Sequence, residues 1–334
     1  MLAVRVHALR AEACDVLSLD LRPVGDGALP GFSAGSHIDL EVPVGRGGGQ
    51  AVLLRQYSLC NSSGERHRYV VGVGRDAASR GGSAALHDSV RVGDILRISA
   101  PRNNFALVES APHTVMIAGG IGITPLLAMA RRLAVLGAAW TLYRCVRTPS
   151  RAAFIEELSA LAAQASNGRV LTVFDGMPGV ARLDIAAVVR DAPAGTHFYC
   201  CGPVPMMKAF GQATAGCDDD HVHVEWFSAP VAPPAPAAGA ATPAADGSFV
   251  VHLKRKARRF TVPSGETILE VLLQAGIDVD YSCREGLCGT CETRVLAGLP
   301  DHRDPILAGK KDPPLDKIMV CVSRCAGPEL VLDL

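Results

Sequence analysis

Four cysteines are spaced for metal chemistry. Cys283-x4-Cys288-x2-Cys291 lie in one short run, Cys-Arg-Glu-Gly-Leu-Cys-Gly-Thr-Cys, and Cys321 follows after twenty-nine residues. Three thiolates in one loop and a lone fourth match the plant-type [2Fe–2S] spacing. Gly286 and Gly289 let the loop turn and bring backbone N–H groups toward inorganic sulfide. Zinc sites space their ligands as two close pairs, which this run does not. Cys325 competes for the fourth place. It stands four residues beyond Cys321, about 13 Å along an extended strand, so one geometry cannot present both. Val320 and Val322 flank Cys321, which predicts a strand with Cys321 on the opposite face. Cys325 precedes Ala326-Gly327-Pro328, a turn, and is expected to be exposed or merely packed.

Other stretches suit phosphates and rings. In Arg55-Gln56-Tyr57-Ser58 a cation, an aromatic and a hydroxyl end an apolar run. The cation suits a phosphate, the ring a flavin, and the hydroxyl a ring nitrogen; a strand tyrosine that merely packs is the plain alternative. Arg80-Gly81-Gly82-Ser83 is either an anion-binding nest or an ordinary surface loop. Gly119-Gly120-Ile121-Gly122-Ile123-Thr124-Pro125 follows a strand-like run and opens a helix, which aims N–H groups at a phosphate. It lacks the G-x-G-x-x-G fingerprint of dinucleotide folds. Cys200-Cys201-Gly202-Pro203 ends a later strand, where parallel sheets bind ligands. Cys201 is a candidate wall of a nicotinamide pocket, whereas Cys200 faces the opposite way, into the core. Asp175, at another strand end, is a candidate partner for a ribose, although many strand-end aspartates are not.

These residues need elements to hold them. The first stretch, 1–110, shows apolar runs at Leu2–Leu9, Val16–Leu21, His37–Val42, Val52–Leu59, Tyr69–Val73 and Ile95–Ser99, an all-β pattern. From His113 to Phe227 strand-like and helical runs alternate, with strands at Val115–Ala118, Trp140–Cys145, Val170–Phe174, Phe198–Cys201 and Val222–Phe227. Alternation of this kind predicts a parallel sheet with helices on both faces. The helix Leu126–Leu136 ends at Gly137. Ala229 to Gly247 is an Ala/Pro-rich linker. Beyond it, 248–334 suggests a hairpin of Phe249–Leu253 and Arg259–Val262, a helix over Thr267–Ala275 and a last strand at Glu329–Leu332.

Composition narrows the class. The 334 residues carry 33 Lys+Arg and 33 Asp+Glu, so nothing global points to nucleic acid or an anionic membrane. No apolar stretch reaches membrane-spanning length and the start is not of signal-peptide type. A cytoplasmic protein is expected. There, eleven cysteines imply ligation more than disulfides.

Taken together, Arg55–Asn61 (RQYSLCN), Arg80–Ser83 (RGGS), Pro101–Phe105 (PRNNF), Ala118–Pro125 (AGGIGITP), Tyr199–Pro203 (YCCGP), Asp301–Asp304 (DHRD), VCVSR and ELVLDL resemble the phthalate dioxygenase reductase and vanillate O-demethylase reductase family. That family lies within the ferredoxin–NADP reductase superfamily, and the resemblance spans essentially the whole chain. It implies a multidomain chain: an antiparallel split β-barrel for FMN (1–110), a Rossmann-like α/β parallel sheet for NAD (111–228), a linker (229–247) and a β-grasp ferredoxin domain (248–334). It implies that Arg55, Gln56, Tyr57 and Ser58 hold FMN, with Gly72, Val73 and Gly74 along its ring and Arg80, Gly81, Gly82 and Ser83 near its phosphate. Gly119, Gly120, Gly122, Asp175, Cys201, Gly202 and Pro203 would serve NADH, Thr124 would touch flavin or nicotinamide, and Phe227 would cover the isoalloxazine. The catalytic set is then Ser58, Thr124, Cys201 and Phe227, with Cys283, Cys288, Cys291 and Cys321 as iron ligands. A lysine is expected where Gly74 stands, so one cationic flavin contact is missing.

The implied activity is hydride transfer from NADH to FMN, then single electrons through the cluster to a terminal Rieske-type oxygenase. Plant-type clusters lie near about −400 mV and Rieske centres higher, so this direction is downhill. A monomer is expected. The alternatives are a flavin- and nucleotide-binding redox sensor, and a reductase for a cytochrome P450 or a diiron oxygenase.

Overall fold

Period-two burial builds the first sheet. β1 (Leu2–Ala13) buries Val4 and Val6 between exposed neighbours, and β2 (Val16–Pro23) buries Leu19 and Leu21. With β3 (His37–Val44), β4 (Ala51–Ser58), β5 (Tyr69–Gly74) and β6 (Ile95–Ile98) they form an antiparallel sheet of order β4-β3-β6-β1-β2-β5. A bridge from Leu59 to Val71 joins the two edges and closes the barrel. All six strands stand where alternation placed them. The computed structural model describes residues 1–44, 51–76, 81–227, 247–310 and 312–334. Arg80 and the linker up to residue 246 lie outside them.

One element inside the first stretch is not a strand. The expected Arg80–Ser83 loop gives way to a short helix, α1 (Gly82–Asp88), whose N-cap is Gly81 at φ 98°. Only glycine takes that angle without strain.

The second sheet is wholly parallel. β7 (His113–Gly119), α2 (Ile123–Leu136), β8 (Trp140–Val146), α3 (Ile155–Gln164), β9 (Gly168–Phe174), α4 (Ile185–Arg190), β10 (Thr196–Cys201), α5 (Val204–Ala213) and β11 (Val222–Glu225) follow in sequence. The strand order β11-β10-β7-β8-β9 reverses direction between β7 and β10. Ligands of open α/β sheets bind at such a switch, at the carboxyl ends of the strands. Gly119–Thr124 and Cys201–Pro203 stand at those two ends. α2 stops at Gly137, in the left-handed region at φ 66°, as its sequence predicts. Cys201 packs in the core beneath α2 and α3, whereas Cys200 packs on the opposite face against α5.

Both sheets belong to one unit, Met1–Phe227, and Ser228–Leu334 forms another. In the second unit β12 (Phe249–Leu253) and β13 (Arg258–Val262) make the expected hairpin, and β18 (Glu329–Leu332) pairs parallel with β12. α6 (Ile268–Gln274) starts with a capping box: the Thr267 hydroxyl accepts from Glu270 N, and the Glu270 carboxylate accepts from Thr267 N. β14 (Glu292–Ala297), β15 (Pro300–Asp301), β16 (Lys317–Met319) and β17 (Arg324–Cys325) escaped sequence reading. They are two to six residues long, too short for periodicity to declare them. The order β13-β12-β18-β14-β16 over α6 is a β-grasp sheet. No helix among the described residues is long and apolar enough to cross a membrane.

Candidate functional site

In the first unit, chemistry gathers where the barrel meets the switch of the parallel sheet. β4 ends with Ser58, 4% exposed, and its hydroxyl donates to Glu225 Oε2 at 3.2 Å. Glu225 is the last residue of β11 and stands in register with Cys201 of β10, which is in register with Ala118 of β7. Strand pairing thus sets Glu225 beside Cys201, and a side-chain hydrogen bond brings Ser58 of the barrel to Glu225. Burial pushes the Glu225 carboxyl up to about 8, against the Ser58 hydrogen bond. Burial also drives the Cys201 thiol well above its ordinary value, with Glu225 and then Cys200 adding to it. Sequence reading missed Glu225. The one signal was an acid in an otherwise apolar strand end, Val-His-Val-Glu-Trp-Phe.

Glycines set the distances here. A Cβ on Gly122 would lie 2.1 Å from the Cys201 carbonyl oxygen, and one on Gly119 2.5 Å from Pro203 Cδ. These two glycines close the β7 loop onto Cys201-Gly202-Pro203; Gly120, exposed and at φ 55°, has nothing within 4 Å of its missing Cβ. Across the junction, a Cβ on Gly72 would meet Thr124 Cγ2 at 2.6 Å and Phe154 Cζ at 3.0 Å. Gly72 is thus the place where β5 touches the start of α2. Val73 is buried beside it, and Gly74 has Ile121 Cβ at 3.4 Å from its missing Cβ. The Thr124 hydroxyl donates to Ile121 O at 3.1 Å.

Arg55 meets the start of α1 at the side of the barrel. A Cβ on Gly82 would be 2.7 Å from Arg55 Nε, so the guanidinium stem crosses the first turn of α1. A cation beside a helix N-terminus suits a phosphate. The Ser83 hydroxyl accepts from Asp76 N at 3.2 Å. Tyr57, on the Arg55 side of β4, is half-buried, which pushes its phenol up to about 12. Gln56 points the other way, its amide donating to Asp39 Oδ1 at 3.0 Å. Arg102 of the PRNNF stretch holds the other Asp39 oxygen at 2.6 Å.

Two expected residues stand apart from this cluster. Asp175 follows β9, with β8 and β7 between it and Cys201. It shares that sheet end with Arg147, whose carbonyl accepts from Gly176 N at 3.1 Å. Phe227 lies just past β11 and is 41% exposed.

The second unit brings the four cysteines together. Cys283 and Cys288 share a thiol hydrogen bond, and Cys291 shares one with Cys321. Within each pair one thiol is held down and the other up. Cys288 is held low, first by the bond from Cys283, and Cys291 is lowered by the bond from Cys321. Glu285 N and Leu287 N donate to Cys283 Sγ at 3.3 and 3.4 Å. N–H groups aimed at sulfur stabilise thiolate ligands. Among the described residues no three ligating side chains surround one point. The thiols stand two and two, a division that suits two irons.

The expected strand around Cys321 is corrected. β16 stops at Met319 and Cys321 sits in the turn that follows; Cys325, expected before a turn and either exposed or merely packed, lies in β17 ahead of the bend at 326–328 and is packed, 8% exposed. Gly327 N donates to Cys325 Sγ at 3.3 Å, so that sulfur is engaged with its own turn. A turn frees Cys321 from strand alternation and lets it lean to Cys291.

Comparison with known proteins finds a counterpart for both parts of the chain. Residues 116–212 match the oxidoreductase NAD-binding domain and residues 251–326 the 2Fe-2S iron-sulfur cluster binding domain. The chain is 47% identical over 333 residues to the phenoxybenzoate dioxygenase subunit beta of Ectopseudomonas oleovorans, covering 99% of this chain and 97% of that one. Phthalate dioxygenase reductase, solved as a modular structure for electron transfer from pyridine nucleotides to [2Fe-2S], superposes with a TM-score of 0.67. It is 37% identical, with 100% of this chain and 98% of that one covered. An intact type IV self-sufficient cytochrome P450 monooxygenase gives a TM-score of 0.84 at 36% identity; this chain spans 41% of its length. Fold and site thus define a pyridine-nucleotide oxidoreductase with a plant-type iron–sulfur domain. Within that class, the chain belongs to the phthalate dioxygenase reductase and vanillate O-demethylase reductase family of the ferredoxin–NADP reductase superfamily.

Proposed function

We propose that this chain is the NADH-dependent reductase component of a two-component oxygenase or O-demethylase, with a terminal Rieske-type oxygenase as its partner. Bound FMN supplies the conversion between two-electron and one-electron chemistry, and a bound [2Fe–2S] cluster supplies one-electron transfer. Arg55 and the first turn of α1 would hold the FMN phosphate. Tyr57 would pack on the ring system, with Gly72, Val73 and Gly74 along its edge. Ser58 offers a hydroxyl at the inner end of β4, and Glu225 keeps a proton there near neutral pH. Thr124 and Cys201, 1% and 0% exposed, would exclude water beside the nicotinamide. Phe227 would cover the ring, and Asp175 would accept from the ribose of NADH. Cys283 and Cys288 would hold one iron, Cys291 and Cys321 the other.

The observation that carries this reading is the Ser58–Glu225–Cys201 cluster at the sheet switch of a chain that also pairs its four cysteines two and two. The purified protein should release FMN on denaturation and hold two irons and two acid-labile sulfides per chain. It should also reduce cytochrome c with NADH. Release of FAD, or flavin reduction without cytochrome c reduction, would contradict the assignment; a redox sensor would give the latter. Full-length likeness to part of a self-sufficient cytochrome P450 favours a second reading, in which the acceptor is a P450. Turnover of a Rieske-type oxygenase, but not of a P450, by this reductase in vitro separates the two.

A further inference from the structure

The Asp301–Asp304 stretch, Asp-His-Arg-Asp, has no part in the reading above, yet it places a carboxylate among the cysteine segments. Asp304 is 1% exposed. Its Oδ1 accepts from Ile306 N at 3.1 Å and Leu307 N at 2.7 Å, and its Oδ2 accepts from the Ser323 hydroxyl at 3.0 Å. Ser323 lies two residues after Cys321 and its oxygen also accepts from Arg303 N at 3.0 Å. On the other side stands the cysteine loop. Gly286, at φ 71° between Cys283 and Cys288, has both Asp304 Cβ and Val322 Cγ2 2.7 Å from where its own Cβ would be. Ligand loop, Asp304 and fourth-ligand segment therefore meet at one point with no room for a methyl group.

The carboxylate is an acceptor at all three bonds, the pattern of an ionised group. Among the described residues no lysine or arginine pairs with it, and His302 is the one ring beside it. Arg303 pairs with Asp301 at 2.8 Å. His302 Nε2 lies 2.7 Å from Pro314 O and so carries the hydrogen, leaving Nδ1 3.8 Å from Asp304 Oδ2. We infer that Asp304 is a positioning residue that clamps the Cys283–Cys291 loop to the Cys321 segment and, through its buried negative charge, sets the reduction potential of the cluster held there. The inference rests on the [2Fe–2S] reading of these cysteines. Reduction adds a negative charge to the site, and a fixed negative charge in a poorly screened interior opposes it. The Ser323 hydroxyl offsets part of that charge.

The test is a redox titration of the cluster in the full-length holoprotein, followed by its visible and EPR spectra. Asp304→Asn keeps the acceptor for Ile306 N and Leu307 N and removes the charge. It should shift the reduction equilibrium toward the reduced cluster by about tenfold or more, which is ~59 mV for one electron. Ser323→Ala keeps the charge and removes its donor, so its shift should run the other way. Opposite shifts distinguish a charge effect from loosened packing, which would move both variants alike. A reduction equilibrium within twofold of wild type in Asp304→Asn would overturn the inference, as it would if His302 cancelled the charge. Should Asp304→Asn fail to retain iron, the clamp is supported and Ser323→Ala decides the charge: a fall in potential upholds it and no change or a rise overturns it. Absence of a cluster from the wild-type protein would instead overturn the reading on which the inference stands.

Discussion

Cys321 and Cys325 are four residues apart and chemically identical, and their surroundings alone separate them. Cys321 shares a hydrogen bond with Cys291 from a turn, whereas Cys325 is packed in β17 with Gly327 N on its sulfur. Cys325→Ser should keep the visible cluster spectrum and cytochrome c reduction. Cys321→Ser should lose both while NADH still reduces the flavin, because hydride transfer makes no use of the cluster; the reverse result would move the fourth ligand to Cys325. Glu225 gives a second expectation at this scale. Its carboxyl rises from 4.5 to about 8 on folding, chiefly by burial. Between those values the folded chain binds a proton that the unfolded chain has released. The contribution of this group to stability is therefore full below pH 4.5 and falls as pH rises toward 8. Glu225→Gln should flatten that fall, read as Tm against pH for the 1–227 unit. An unchanged slope would mean that the carboxyl is ionised in the fold.

Among the elements, the junction between β7, β10 and α2 depends on glycines that let backbones touch. At Gly122 an added methyl meets a carbonyl oxygen at 2.1 Å, with backbone on both sides, so neither neighbour can yield alone. At Gly72 it meets side-chain atoms of Thr124 and Phe154, which can shift in part. Gly211, in α5, has nothing within 4 Å and an ordinary helical angle. Thermal unfolding should accordingly rank the alanine variants. Gly122→Ala should lose the most and Gly72→Ala about 1–3 kcal/mol. Gly211→Ala should gain about 0.5–1 kcal/mol from helix propensity. A Gly122→Ala protein as stable as wild type would show that the loop after β7 is free to move away from Cys201.

For the whole molecule, the choice of nucleotide follows from charges at the carboxyl end of the parallel sheet. A 2′-phosphate needs a basic pocket there. Arg151, one of the two arginines after β8, is paired with Asp15 of the barrel at 3.1 Å, while Asp175 stands at the adjoining strand end. That leaves Arg147 against Asp175. NADH should therefore be used with a kcat/KM well above that of NADPH, and Asp175→Ala should narrow the gap. Comparable kcat/KM for the two nucleotides in the wild-type protein would contradict this.

The sequence alone was enough for whatever repeats locally or is written in spacing. Alternating burial fixed the barrel strands, and the alternation of strand-like and helical runs fixed the parallel sheet. Gly137 marked the end of α2, and Cys-x4-Cys-x2-Cys marked the iron loop, because each signal spans only a few neighbouring residues. Glu225 was hidden because its role comes from strand register with Cys201 and from the reach of Ser58, 167 positions away. Asp304 was visible as part of a motif but without a purpose, since only folding sets it between Gly286 and Ser323. The turn at Cys321 came out opposite to its local pattern, and the two-residue strand at Cys325 had no local signal. In so short a segment, pairing of β17 with β15 across 300–325 outweighs local preference. Local physics determined the elements and the cysteine spacing. Long-range packing decided which side chains meet, because the contacts that bury a carboxylate or pair two thiols are made between segments far apart in the chain.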